Sequence, residues 1–375
     1  PQPGNLVKTA EYKYETKALF RGYNMRVLKI DLASLSILER PVSKTMKEKF
    51  VGGKGFGLKL LWDAISPDTT WDDPENEIVI AMGPICGNTN YSGSGKSLVV
   101  SLSPLTGIPI DSNVGGYFGP FLKFSGFDAL ELGGKVGRDS IIFIDGDEGK
   151  VQIFEAPEGL ESDTHILAEK LTRAFAASEK DADLAAVAVV SAGRGAEHSR
   201  IGLLNFSLYD RRRGGCRVKQ AGRGGIGTVF RDKGIMALVC RYSKLGQDDN
   251  HAADPATVQR LGLKLHREIL REDDKQCKMR KVGTAHLMEV MNDYDLLPVK
   301  NHRFGADPEA IKLASWVWES RFSQGLPDGC WYGCTLACAH AVDRFELKTG
   351  PYKGQKVCVD GPEYECAAGL GANLG

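Results

Sequence analysis

Alternating apolar and polar positions mark a series of short strands along the first two-thirds of the chain. MRVLKIDL (25–32) and SILERPV (36–42) alternate with period two and predict a strand pair. EIVIAMG (77–83), KSLVVSLS (96–103) and FDALELGG (127–134) predict further strands. SIIFIDGDEGKVQIFEA (140–156) reads as a hairpin turned at Gly146-Asp147-Glu148-Gly149. LAAVAVVSAG, RIGLLNFSLYD and GIMALVCRY continue the β pattern to about residue 243. Helical spacing interrupts it twice, in KFVGGKGFGLKLLWDAI (49–65) and THILAEKLTRAFAAS (164–178). The character then changes. TVQRLGLKLHREILRED (257–273) and TAHLMEVMNDYDLL (284–297) follow the helical period. The pattern predicts an α+β protein: an arm over 1–24 without periodicity, a β-rich domain over 25–245, and a mostly helical domain over 246–375.

Composition narrows the function classes. The chain has 375 residues, of which 42% are hydrophobic, enough for a sizeable core. Lys+Arg and Asp+Glu are both 48, so the net charge is zero. That argues against binding driven by phosphate neutralisation along a nucleic acid. No apolar run approaches the ~20 residues of a membrane helix, so no membrane insertion is expected. The polar N-terminus lacks a signal-peptide apolar core, which leads to an expectation of a cytoplasmic protein. Nine cysteines, an odd number with three crowded together, favour metal binding over disulfides in such a compartment.

The crowded three lie in CWYGCTLAC: Cys330, Cys334 and Cys338. On a helix, steps of four residues would spread three thiols over a face about 80° wide. In a loop they could curl around one ion. Thiolates are soft ligands, suited to an iron–sulfur cluster or to zinc. A [4Fe–4S] cluster takes four cysteines, often with one far away in sequence. Zinc would need a fourth ligand, and His340 is near. Three buried structural cysteines are the remaining reading.

The glycine clusters carry weaker signals. GSGKS (93–97) resembles the tail of a P-loop but fails as one. Position 90 is Asn rather than Gly, and the strand LVVSLS follows where a helix is needed. GGKGFG (52–57) suits a tight strand-to-helix turn as well as it suits anion binding. NVGGYFG (113–119) and AGRGGIG (221–227) are similar in kind. Arg223 could fork onto a phosphate while backbone amides line the rest. With Lys96 and Lys219 among these clusters, a large phosphorylated ligand is expected. In GPEYE (361–365), Glu363 and Glu365 cannot share a helix face. The segment reads either as a helix start favoured by the dipole or as a site with one carboxylate pointing in.

Taken together, these residues resemble the tungsten-dependent aldehyde ferredoxin oxidoreductase family. The resemblance runs through GPICGNTNYSGSGKSLVVSLSPLTGIPIDSNVGGYFGPFLKFSGFDALELGGK, AGRGGIGTVFRDKGIMALV, VGTAHLMEVMNDYDLLPVKN, the cysteine trio and DGPEYECAAGLGANLG. It implies a β-rich base for two pterins that hold one tungsten, or molybdenum, through dithiolenes. It further implies a magnesium ion between the pterin phosphates and a [4Fe–4S] cluster beside one pterin. Carried over, Cys330, Cys334 and Cys338 look like three cluster ligands, with the family's fourth cysteine downstream of Gly375. Lys96 falls where the family has a basic side chain, typically Arg, between pterin and cluster. Asn113 and Gln220 fall where backbone carbonyls reach the magnesium. Gly115, Gly116, Lys219, Arg223, Gly224 and Gly225 fall in the pterin-binding runs, and Glu363 matches a carboxylate near the metal. Two departures stand out. The first cysteine gap is one residue longer than the family's usual C-x-x-C, and RRRGGCRVKQ (211–220) replaces a shorter segment.

The implied activity is oxidation of aldehydes to carboxylic acids, with electrons leaving through the cluster to ferredoxin or an electron-transfer subunit. A homodimer or larger complex is expected. The alternatives are a benzoyl-CoA-reductase-type catalytic subunit of the same family and a non-catalytic iron–sulfur or zinc module. The chain is expected to stop before the family's second pterin-binding motifs and its downstream active-site histidine.

Overall fold

The computed structural model describes residues 6–160, 163–246, 250–276, 278–321, 328–339, 341–360 and 363–374. The chain divides into two units. One comprises Pro1–Asn88 with Ser94–Pro255, the other Thr89–Gly93 with Ala256–Gly375. Five residues of the glycine-rich loop after residue 83 therefore belong to the second unit.

The first unit contains two mixed sheets. Its strands are β1 (Lys8–Lys13), β2 (Arg26–Asp31), β3 (Ser36–Pro41), β4 (Ile78–Ala81), β5 (Ser97–Leu102), β6 (Pro109–Val114), β7 (Ala129–Gly133), β8 (Ser140–Asp145), β9 (Lys150–Glu155), β10 (Val187–Ser191), β11 (Leu204–Asp210), β12 (Gly215–Ala221) and β13 (Ile235–Arg241). A six-stranded sheet has the order β3-β2-β7-β4-β5-β6, and a seven-stranded sheet the order β1-β9-β8-β13-β10-β11-β12. Each has one parallel pair, β2 with β7 and β8 with β13; the other pairings are antiparallel.

The strands that read as near-continuous apolar runs, such as β4, β8 and β10, are buried along their whole length. Both faces of these sheets are covered, which is what such runs require. The helix Lys54–Ala64 packs Phe56, Leu60 and Leu61 on Val27, Val79 and Val100 of the six-stranded sheet. The helix Thr164–Phe175 packs Leu167, Leu171 and Phe175 on Ile141, Phe154 and Val239 of the other. Asp163 caps that helix, accepting the amides of His165 (3.0 Å) and Ile166 (3.2 Å). The helix Phe118–Phe124 is buried throughout. Gly119 lets it approach the six-stranded sheet, because a Cβ there would come 2.2 Å from Ser97 Oγ. Phe118 meets Phe206 of β11 edge to face.

Two elements differ from the sequence expectation, and a third segment gains a defined structure. The N-terminal arm is not featureless: Lys8–Lys13 pairs antiparallel with β9 as an edge strand. Its alternation was hidden by the exposed charges of Lys8, Glu11 and Lys13, as edge strands commonly carry. GGKGFG joins two helices rather than a strand and a helix. Ser43 caps Lys44–Phe50, its Oγ accepting the Met46 amide at 3.0 Å. RRRGGCRVKQ is a hairpin turn running into β12, where Arg217 is buried and its Nε lies 3.1 Å from Asp210 Oδ2.

The second unit opens with the helix Pro255–Asp273, of which only Gly262 and Asp273 are buried. The buried carboxylate of Asp273 accepts the amides of Met279 (2.8 Å) and Arg280 (3.0 Å) beyond its C-terminus. A helix over Met279–Val282, a 3₁₀ turn over Gly283–His286 and a helix over Leu287–Asp293 follow. Met288, Leu297, Val299, Ala310 and Ala368 form a small core. This unit also holds a hairpin, β14 (Ala341–Glu346) with β15 (Lys356–Asp360), and the helix Tyr364–Leu370. Among the described residues no helix is long and apolar enough to cross a membrane.

Candidate functional site

In the first unit the fold draws the glycine motifs together. Asn113 lies near the end of β6 and pairs with Leu98 of β5, while Ser97 pairs with Val114. Lys96 therefore enters β5 beside the point where β6 runs out into Gly115 and Gly116. Lys219 and Gln220 lie on β12 opposite Phe206 and Asn205. The two stretches meet where the Arg223 amide donates to Ser112 Oγ at 3.2 Å. Gly224 packs so closely on Ile110 of β6 that a Cβ would come within 2.3 Å of it. Gly116 (φ +94°) rests on Phe206 of β11.

These glycines are required first by the fold. Gly225 has φ +70°, and a Cβ there would lie 2.2 Å from the Arg200 carbonyl oxygen. It opens the buried helix Ile226–Asp232. Gly222 is different: it is exposed, and a Cβ would meet nothing within 4 Å. Backbone open to a ligand is therefore at Gly222, beside the exposed Arg223 and near the exposed Asn113. Gly222 stands in the AGRGG run but is not among the glycines that the family resemblance implies. Lys96, Lys219 and Gln220 are half-buried, and the Gln220 amide group donates to the Val218 carbonyl at 2.9 Å.

In the second unit the cysteines lie in a loop, not on a helix. Asp328 bridges to Cys338 and Ala339 and closes the loop's base, with the Ala339 amide donating to the Asp328 carbonyl at 3.2 Å. Trp331, within the loop, is buried. Gly333 has φ +75° and leaves room for the Thr89 carbonyl, which a Cβ would meet at 2.0 Å. The Cys330 thiol hydrogen-bonds Cys334, and the amides of Ala337, Gly93 and Cys330 add to it. Against the opposing effect of burial, they bring the Cys334 thiol down to about 4. Cys334 is thus held as a thiolate, the form that ligates metals. Among the described residues no group of three His, Cys, Asp or Glu side chains is gathered in metal-binding geometry. His340, the expected zinc partner, lies outside the described residues.

Thr335, between two of the cysteines, ties the loop to its surroundings within the unit. Its amide donates to Ser92 Oγ at 3.0 Å. Its hydroxyl lies 2.9 Å from Ser92 Oγ and 2.7 Å from His266 Nδ1. Sequence reasoning missed Ser92, His266 and Thr335, because none belongs to a spaced motif.

Glu363 directly precedes the helix Tyr364–Leu370 and is exposed. Its Oε2 accepts from the Thr284 hydroxyl at 2.6 Å, and Thr284 Oγ1 in turn accepts the Tyr364 amide at 3.0 Å. Glu365, in the first helical turn, is also exposed.

The donor sets fit the groups expected from sequence. A low-pKa thiolate hydrogen-bonded to a second thiol, in a loop with a third, fits a soft iron–sulfur centre. Open backbone at Gly222 with Arg223 alongside, and Lys96 and Lys219 nearby in the fold, fits a phosphate-bearing ligand.

Comparison with known proteins gives a consistent picture. The family model for the N-terminal domain of aldehyde ferredoxin oxidoreductase matches residues 27–242. The model for domains 2 and 3 of the same family matches residues 260–375. A tungsten-containing aldehyde ferredoxin oxidoreductase of Pyrococcus furiosus is 30% identical over 353 residues, covering 93% of this chain and 52% of that protein. The WOR-like subunit of an aliphatic sulfonate oxidoreductase from the same organism is 27% identical, covering 94% and 54%. The active-site complex BamBC of benzoyl-coenzyme A reductase superposes with a TM-score of 0.67 at 24% identity, over 90% of this chain and 48% of that one. The chain spans about half the length of the relatives it matches.

Proposed function

The chain belongs to the aldehyde ferredoxin oxidoreductase family, and we propose that it is the cofactor-binding part of a tungsten–pterin enzyme that oxidises aldehydes to carboxylic acids. Electrons would pass through a [4Fe–4S] cluster to ferredoxin or a partner subunit. The observation that carries this reading is the three-cysteine loop, closed at its base by the Asp328 bridges and with the Cys330 thiol against Cys334.

Cys330, Cys334 and Cys338 would hold the cluster. Lys96, Lys219 and Arg223 would neutralise pterin phosphates. Gly222, with Gly115, Gly116, Gly224 and Gly225, would keep side chains out of the ligand's way. The carbonyls of Asn113 and Gln220 would face magnesium. When bound, the tungsten–pterin centre would supply a Lewis acid and a two-electron sink for converting an aldehyde and water to a carboxylic acid and two protons.

Glu363 is suited to take one of those protons. The Thr284 hydroxyl accepts the Tyr364 amide, which leaves its own hydrogen for Glu363 Oε2. That bond orients the carboxyl group, which is the general-base candidate of this segment.

The test is metal and turnover analysis of the full-length gene product after anaerobic expression with tungstate. Stoichiometric tungsten or molybdenum and dye-linked oxidation of an aldehyde panel are expected. Reduction of benzoyl-CoA without aldehyde oxidation would move the assignment to a thioester reductase. Absence of both metals would refute the reading.

A further inference from the structure

The second unit contains a device that the cofactor-binding reading does not use. Residues 89–93 lie between the helix Pro255–Asp273 and the cysteine loop. On the helix side, Gly262 meets Asn90 so closely that a Cβ would come 2.5 Å from the Asn90 carbonyl oxygen. The Tyr91 hydroxyl donates to the Val258 carbonyl at 3.2 Å. On the loop side, Gly333 meets the Thr89 carbonyl. Ser92 and Thr335 make a double hydrogen bond, amide to hydroxyl at 3.0 Å and hydroxyl to hydroxyl at 2.9 Å. One residue along in each strand of chain, the Gly93 amide donates to the Cys334 sulfur. His266 reaches from the helix to the same Thr335 hydroxyl at 2.7 Å.

We propose that Ser92, Thr335 and His266 form a positioning network that holds the Gly93 amide on the Cys334 sulfur and so tunes the reduction potential of the cluster. The inference rests on the cluster reading above. The geometry is specific. The Ser92–Thr335 pair stands one position away from the N–H···S bond on both sides, so any slippage of the loop against the segment breaks both contacts together. The Thr335 hydroxyl has only one hydrogen and faces two partners. His266 therefore fixes its direction, and the choice of ring tautomer decides whether Thr335 donates to His266 or to Ser92. An amide donated to a ligating sulfur places partial positive charge beside it. Such bonds stabilise the reduced, more negative cluster and raise its potential. All three side chains are positioning residues; none is required to touch the cluster.

The test is an EPR-monitored redox titration of the full-length protein, purified anaerobically. The variants are Thr335→Val, Thr335→Ser, His266→Ala and His266→Asn. Thr335→Val and His266→Ala are expected to shift the midpoint potential downward and alter the g-anisotropy, with iron and labile sulfide retained. Thr335→Ser and His266→Asn, which keep a hydroxyl and a nitrogen near the original atoms, are expected to restore wild-type behaviour. An intact cluster with unchanged potential and spectrum in Thr335→Val and His266→Ala overturns the network. So does loss of the cluster in Thr335→Ser as well as Thr335→Val, since the hydroxyl would then not be what matters. A wild-type protein without an iron–sulfur signal overturns the cluster assignment itself.

Discussion

Replacing Glu131 by Gln should flatten the pH dependence of stability in the β-rich unit. Glu131 lies on β7 in the middle of the six-stranded sheet, with no exposed surface, next to the buried Glu77. Burial first, and then the neighbouring Glu77 carboxyl, lift the Glu131 carboxyl from 4.5 to about 7. Two cations pull the other way: Arg40 at 3.0 Å from Glu131 Oε2 and Lys29 at 3.7 Å. Lys29 sits closer to Glu77, at 2.7 Å, and Arg40 is 39% exposed, so neither offsets the burial. A folded-state value above the unfolded one means that the folded protein binds the proton more tightly. The resulting stabilisation is complete below about 4.5 and is lost as pH rises through about 7. The shift corresponds to about 3 kcal/mol at roughly 1.4 kcal/mol per tenfold change in proton affinity. That is a large part of a typical net stability of about 5–15 kcal/mol. Glutamine keeps the shape and imitates the protonated form, so it should remove this slope. The assay is urea denaturation of both proteins, followed by far-UV circular dichroism, from pH 5 to pH 8.5. The wild type should lose stability with rising pH relative to the variant. Parallel curves for the two proteins would show that Glu131 titrates normally and refute the argument.

Two further substitutions separate ligation from scaffolding. Cys334→Ser should lower or abolish the [4Fe–4S] signal while the β-rich unit stays folded, because that unit contains none of the three loop cysteines. Iron, labile sulfide and low-temperature EPR measure this, and an unchanged four-iron signal would remove Cys334 from the ligand set. Gly225→Val should cost at least ~1–2 kcal/mol from its left-handed backbone alone, with the Arg200 carbonyl 2.2 Å from the new Cβ adding more. Loss of tungsten and of released pterin fluorescence should accompany the lowered stability, and full loading would show that the cradle tolerates a displaced turn.

What could be read from the sequence followed the strength of the local signal. Strands such as β4, β8 and β13 were legible because their apolar runs match a sheet covered on both faces. The strand β1 was not, since its charged exposed side and single paired edge leave little hydrophobic pattern. The cysteine spacing pointed to one short ligand segment but left helix and loop open. Trp331, the positive φ of Gly333 and the Asp328 bridges decide for the loop, and these are tertiary features. The glycine motifs point to one region of the fold, for a mixed reason. Gly116, Gly224 and Gly225 are demanded by Phe206, Ile110 and Arg200 of the protein itself, whereas only Gly222 in the AGRGG run leaves its backbone open. Ser92, Thr335 and His266 were invisible for the opposite reason. They are ordinary polar residues separated by up to 243 positions, and only the placing of residues 89–93 against the cysteine loop gives them a shared task. Residue type and spacing can thus nominate a ligand set. The groups that hold its geometry are selected by where the chain returns, which sequence pattern does not encode.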